Sequence, residues 1–262
     1  MKTIQQITSL RILSVLTVII SSFMMHGCAH YQPRGDAGAI CPDGNPPFTF
    51  VVIGDTRPGM PAYPDDPGTP SIDYLEQIHW INRLNPDFTI VVGDLIRGYN
   101  SKHPGLLEQQ WDGFDETVSL YKTPLYMVVG NHDVWDDYSD KIYQQRYGPQ
   151  YFSFDHKKCH FIVLSADIPY KLNKIDQTQI KWLKEDLISS KDALHKFVFL
   201  HKPIWLPDYI GNTVWLSTIH ELFKKHNVDA VFAGHEHHYE PFLIDNIPYF
   251  ITGGGGAEIG GR

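Results

Sequence analysis

Asp55, Asp94, Asn131, His132, Asp133, His201, His235 and His237 carry side chains that can ligate a metal ion or move a proton, and they sit in blocks that each follow a short apolar run. Val51–Ile53 ends at Gly54-Asp55, and Ile90–Val92 ends at Gly93-Asp94. Met127–Val129 ends at Gly130-Asn131-His132-Asp133, Phe197–Leu200 at His201, and Val231–Ala233 at Gly234-His235-Glu236-His237. Carboxylate, amide and imidazole donors in one set suit Mn, Fe, Zn or Co, whereas calcium takes oxygen ligands alone. One Gly-Asp after a strand is an ordinary turn, and one histidine is more often a surface or packed residue. The ordered combination of five blocks is what points to chemistry.

Such residues act together only if the fold brings them together. Apolar, β-branched runs predict strands over Phe48–Ile53, Phe88–Val92, Leu125–Val129, Tyr151–Phe154, Phe161–Leu164, Phe197–Leu200, Ala230–Ala233 and Tyr249–Ile251. Helices are predicted near Ile72–Leu84, Leu106–Leu120, Asp176–Ser189 and Val214–His226. This alternation implies an α/β fold with short buried strands. Tyr151–Leu164 predicts an antiparallel hairpin, so the sheets should be mixed. Strands that run parallel converge at their carboxyl ends on one crevice, which is where ligands bind. The polar loops 57–71, 134–140 and 202–213 follow strand ends.

The five blocks resemble those of the calcineurin-like metallophosphoesterases, whose pattern is Asp-x-His, Gly-Asp, Gly-Asn-His-Asp/Glu, a lone His, then Gly-His-x-His. The resemblance covers residues 48 to about 256 and implies two mixed β-sheets sandwiched between helices. It implies a hydrolase of phosphoesters, monoesters or diesters, with two divalent metal ions. Such a pair can lower the pKa of a bridging water and stabilise both ends of an in-line displacement at phosphorus. The resemblance assigns the bridging role to Asp94, one site to Asp55 and His237, and the other to Asn131, His201 and His235. His132 matches the family histidine that contacts phosphate and protonates the leaving oxygen. Asp133 either orients His132 or caps the segment that follows.

The first block departs from the pattern, because Arg57 stands where the family has a histidine ligand. A guanidinium stays protonated and has no lone pair to give. Either the first metal keeps fewer protein ligands, or another side chain fills in. Purple acid phosphatases use a tyrosine soon after the second aspartate; Tyr99 is near, but at a different spacing. Arg57 can instead hold the substrate phosphate or form a salt bridge. Substrate identity belongs to the loops, where Trp135, Tyr138, Trp205 and Tyr209 either stack on a base or sugar or simply pack.

Composition sets the frame. The chain has 262 residues, 42% of them apolar and 20% charged, as expected of a globular protein. Lys2 and Arg11 precede the uncharged apolar run Ile12–Met25, too short for a comfortable membrane span of about 20 residues. The run ends at Gly27-Cys28, which resembles the lipobox of bacterial lipoproteins. The expected organisation is a signal peptide over 1–27, a flexible tether over 28–47 and a phosphoesterase domain over 48–262 that is either complete or cut short at its C-terminus. The product would be exported and anchored through lipid on Cys28, facing the periplasm or cell exterior. The net charge is −8, and no Lys/Arg cluster of the kind that holds duplex nucleic acid is visible. Cys41 and Cys159 either pair in an oxidising compartment or remain separate. No Gly-x-Ser-x-Gly elbow for a serine hydrolase is present, and His235–His238 lies too late for a metallo-β-lactamase. A non-catalytic, tethered phosphate- or metal-binding lipoprotein is the alternative, supported by the first block alone.

Overall fold

The computed structural model describes residues 5–6, 18–21, 47–59, 68–99, 105–166 and 173–257. Eleven strands among them form two sheets. One has four strands in the order β2 (Val18–Ser21), β3 (Thr49–Ile53), β4 (Phe88–Val92), β5 (Leu125–Val128). β3, β4 and β5 are mutually parallel, and β2 joins the β3 edge antiparallel. The second sheet has seven strands. Its order is β1 (Gln5–Gln6), β10 (Tyr239–Ile244), β11 (Ile247–Thr252), β9 (Ala230–Ala233), β8 (His195–Phe199), β7 (Cys159–Val163), β6 (Phe152–His156). β11, β9, β8 and β7 run parallel, with the antiparallel hairpins β6–β7 and β10–β11 at the flanks. Both sheets are therefore mixed. β1 and β2 fall within the segment read above as a leader, and its removal would leave β3 and β10 as sheet edges.

The strand period of two sorts the core into layers. Phe50, Val52, Phe88, Ile90 and Val92 point at the second sheet and meet Phe161, Phe197, Phe199 and Phe232 there. Cys159 is buried in this layer, and Cys41 lies outside the described residues. Val51, Ile53 and Val91 point the other way, onto helices α1 (Ile72–Leu84), α2 (Leu106–Val118) and α3 (Asp137–Tyr147). Ile162, Val198 and Val231 likewise meet α4 (Gln177–Ser189) and the helical run of α5 (Asn212–Val214), a π-turn (Trp215–Ile219) and α6 (His220–Lys225). The result is helix, sheet, sheet, helix. Among the described residues, no helix is long and apolar enough to cross a membrane.

Within residues 48–262, two elements were not expected. Asp137–Tyr147 form a helix that begins inside the expected loop 134–140. The segment is too polar to show an apolar stripe, since its inward face is only Ser139, Ile142 and Tyr143. What starts it is a capping box: the Asp136 carboxylate accepts from Ser139 N at 2.8 Å, and the Ser139 hydroxyl accepts from Asp136 N at 3.0 Å. β10 was missed because Pro241 interrupts its apolar pattern, and proline argues against a strand interior.

Candidate metal centre

β3, β4, β5, β8 and β9 all end at the same edge of the sandwich, and there the parallel ladders continue past the strands. Asp55 N donates to Gly93 O at 3.0 Å, Arg57 N to Asp94 O at 2.8 Å, and Gly234 N to His201 O at 2.9 Å. Asp55, Asp94 and His235 adopt φ of 59°, 54° and 69°, left-handed values uncommon for residues other than glycine. This turn swings each side chain across the strand ends instead of along the sheet. Strain of this kind is held where surrounding structure over-determines it. Two glycines make the crossing possible. Gly93 has φ of 89°, and a Cβ there would strike the His201 ring. A Cβ on Gly130 would strike the backbone and carboxylate of Asp94.

The side chains then converge. Asp94, His201 and His235 each offer a ligand atom within 4.8 Å of the others, and so do Asp55, Asp94 and His237. Asp94 belongs to both groups, as a carboxylate bridging two cations must. His201 Nε2 lies 3.0 Å from Asp94 Oδ1, and its Nδ1 donates to the Val92 carbonyl at 2.8 Å. That second bond fixes the tautomer and leaves Nε2 with a lone pair for a metal. His235 Nδ1 lies 3.2 Å from His201 Nε2, and His237 Nε2 lies 3.4 Å from Asp55 Oδ1. His235 N donates to Asp55 Oδ2 at 2.8 Å, tying the last block to the first. Asn131 Oδ1 is buried and has no hydrogen-bond partner, although its amide nitrogen donates to the Tyr99 hydroxyl at 3.1 Å. Carboxylates, imidazoles and an amide oxygen left without a partner make a donor set that divalent transition ions fit.

Electrostatics agree. Burial lowers the His235 pKa to about 3, helped by His201, so the ring is neutral and able to ligate. Burial opposes the charged form of Asp94, but His201 and His132 together outweigh it and hold the carboxyl well below the usual range. Burial raises Asp55, against a hydrogen bond from His237. Burial also lowers His132, against the pull of Asp94.

His132 Nε2 stands 3.9 Å from Asp94 Oδ2, and its Nδ1 meets the Arg97 carbonyl. Arg57 is inside the site: its Nε lies 3.7 Å from Asp94 Oδ2, with the side chain 14% exposed. Asp133 does not turn toward His132 and does not cap α3, whose N-cap is Asp136. Its carboxylate accepts from Gly130 N at 2.7 Å, Leu95 N at 2.8 Å and Ile96 N at 3.1 Å. It braces the loop after β4 against the loop after β5. Burial, then the charge of Asp94, raise its pKa to about 8. Tyr99 does not stand in for the missing first-block ligand, because its contact is with Asn131. Trp135 and Trp205 are core residues, and Tyr138 donates to Glu108 at 2.7 Å. Tyr209 alone of the four loop aromatics approaches a site residue, its ring 6.1 Å from that of His235.

The glycine run at 253–256, outside the five blocks, also contributes to the site. Gly255 N donates to Gly54 O at 2.7 Å, Ala257 N to Asp55 O at 2.8 Å, and Gly253 N to His238 O at 3.1 Å. A Cβ on Gly253 would strike Glu236 O. The run forms the floor under Asp55. Its position directly after a strand was the available signal.

Residues 48–239 match the family model described as calcineurin-like phosphoesterase. The chain belongs to that family. Among curated relatives of this chain is the rat serine/threonine-protein phosphatase CPPED1, 26% identical over 207 residues, covering 71% of this chain and 65% of that protein. The Fe(3+)-Zn(2+) purple acid phosphatase 12 of Arabidopsis thaliana is 27% identical over 232 residues, covering 79% of this chain and 46% of that protein. The chain thus spans about half to two thirds of the length of these relatives. A dimetal phosphatase from Danio rerio has the same fold, with a TM-score of 0.60 at 14% identity, over 78% of this chain and 86% of that one.

Proposed function

We propose that this chain is a dinuclear-metal phosphoesterase in which His132 protonates the leaving oxygen. The observation that carries the reading is the pair of ligand groups that share Asp94, with His132 beside them. Asp55, Asp94 and His237 would hold one divalent ion, and Asp94, Asn131, His201 and His235 the other. When bound, the ions supply an activated water and positive charge for the phosphoryl oxygens. The chain supplies the rest. His201, tied to Val92 O, presents Nε2 inward. His132, tied to Arg97 O, presents its Nε2 to a leaving oxygen that would otherwise depart as a poor alkoxide. An anionic substrate acts on that ring as Asp94 does, favouring its protonated form. Arg57, whose Nε lies 3.7 Å from Asp94 Oδ2, would contact the phosphate as a permanent cation.

We also propose that the protein is exported and held at a membrane surface by lipid on Cys28, on the strength of the charged start, apolar run and Gly27-Cys28. Cys28→Ala should then move the protein from the membrane to the soluble fraction.

Hydrolysis of p-nitrophenyl phosphate and bis-p-nitrophenyl phosphate with added Mn tests the activity and separates monoester from diester preference. Metal-dependent turnover of either substrate, lost in His132→Ala, is the expected result. Tight metal binding without turnover of either would replace this reading with that of a binding protein.

A further inference from the structure

We propose that Tyr99 is a positioning residue of the metal centre, holding the Asn131 amide so that Oδ1 is presented for coordination. The inference rests on the reading of Asn131 as a ligand. The Tyr99 hydroxyl accepts from Asn131 Nδ2 at 3.1 Å. An amide has one oxygen and one nitrogen edge, so engaging the nitrogen fixes which edge remains. The remaining atom, Oδ1, is buried with no hydrogen-bond partner, which is costly unless an ion takes it.

The tyrosine is itself held in place. Its φ is 56°, and the preceding Gly98 has φ of 65°. A Cβ on Gly98 would collide with His132 O, so the segment runs directly against the third block. Gly98 N donates to the buried Gln110 Oε1 at 2.9 Å, fastening this turn to α2. The Tyr99 ring packs edge-on to His132 at 4.8 Å between centroids and lies 5.4 Å from the Trp135 ring. One residue upstream but one, Arg97 O takes His132 Nδ1. A three-residue turn therefore sets two neighbouring side chains, Asn131 through the phenol and His132 through a carbonyl and a ring face. Partners of metal ligands matter to affinity, typically by 10–100-fold.

The test is calorimetric titration of Mn into the full chain, with metal content measured after dialysis. Tyr99→Phe keeps the ring against His132 and Trp135 and removes the hydroxyl. Tyr99 is 47% exposed, so phenylalanine is tolerated there, and an unchanged melting temperature of the metal-free variant confirms it. The expected result is one Mn equivalent weakened by roughly tenfold and the other unchanged. KM for p-nitrophenyl phosphate at saturating Mn should stay at the wild-type value. Tyr99→Ala should weaken the same equivalent and also lower kcat at saturating Mn, because His132 loses its ring contact. Wild-type Mn affinity in Tyr99→Phe, with Asn131→Ala weakened, overturns the role of Tyr99 and leaves the ligand reading standing. Wild-type affinity in both variants removes Asn131 from the ligand set, and the proposal with it.

Discussion

His160 and His201 are both buried histidines that meet aspartates, and their surroundings differ in what is left over. His160, on β7, has Nδ1 2.6 Å from Asp155 Oδ1 of β6 and Nε2 2.8 Å from Asp186 Oδ2 of α4. Asp186 also accepts from the Ser153 hydroxyl at 2.7 Å. Both ring nitrogens carry protons toward carboxylates, and the cluster closes on itself. Burial works against the charged ring, but Asp186 and Asp155 outweigh it and raise its pKa. At the strand ends, burial instead leaves His235 neutral, Asn131 Oδ1 unpaired and one carboxylate common to two ligand groups. The same residue types make an internal salt bridge in one place and a cation site in the other. What separates them is whether lone pairs remain after the protein's own protons are assigned.

The largest effect should come from removing the shared carboxylate. Asp94→Ala is expected to lose both metal equivalents by elemental analysis and all metal-dependent turnover. Retention of one tightly held ion would show that the two groups do not depend on a common bridge. Next, His132→Ala should lower kcat by roughly 10²–10⁴-fold while metal content stays at the wild-type value, because His132 is not in either ligand group. Loss of metal in that variant would place His132 among the ligands. Arg57→His restores a ligand to the first group and removes a permanent cation from beside Asp94. It should tighten the weaker Mn equivalent by about tenfold and raise KM for phosphoester. If neither quantity moves, both proposed roles of this position are lost.

The smallest effect belongs to the closed cluster. His160→Gln should cost about 2 kcal/mol, read from urea unfolding, and leave kcat and metal content alone. Because the folded pKa of His160 is raised, its stabilisation is fully present below the unfolded value of about 6.5. It fades as pH rises through the folded pKa. The stability gap between wild type and His160→Gln should thus be widest near pH 6 and narrow in alkaline buffer. A gap that widens with pH would mean that the ring is neutral in the folded protein. Asp155 is mostly exposed, so Asp186 should supply most of the effect.

Most of this arrangement could be read in the chain. β-branched runs that stop at Gly-Asp or Gly-Asn-His announce strands whose ends carry ligands, and at Gly93 and Gly130 a Cβ would collide with a residue of another block. α1, α4 and the β6–β7 hairpin followed from period and turn residues. The rest depended on tertiary contacts that leave no local trace. Nothing in the spacing of Tyr99 says that it reaches Asn131, 32 positions on. The carboxylate of Asp133 stands next to His132 in sequence, yet it faces the backbone of Leu95 and Ile96. α3 is too polar for an apolar period to show, and Pro241 hid β10, although it lies just outside the short β1 pairing at Phe242 and Leu243 and so needs no N–H on that side.

Each ligand group draws on both sheets: Asp55 and Asp94 follow β3 and β4, while His201, His235 and His237 follow β8 and β9. The hydrogen bond from His235 N to Asp55 already joins positions 180 apart in the chain. An ion bound there would be a removable cross-link between the two layers, closing loops whose entropy grows only slowly with length. A chelator should then lower the melting temperature of this domain without unfolding it, because ligands that bind only the folded state stabilise it.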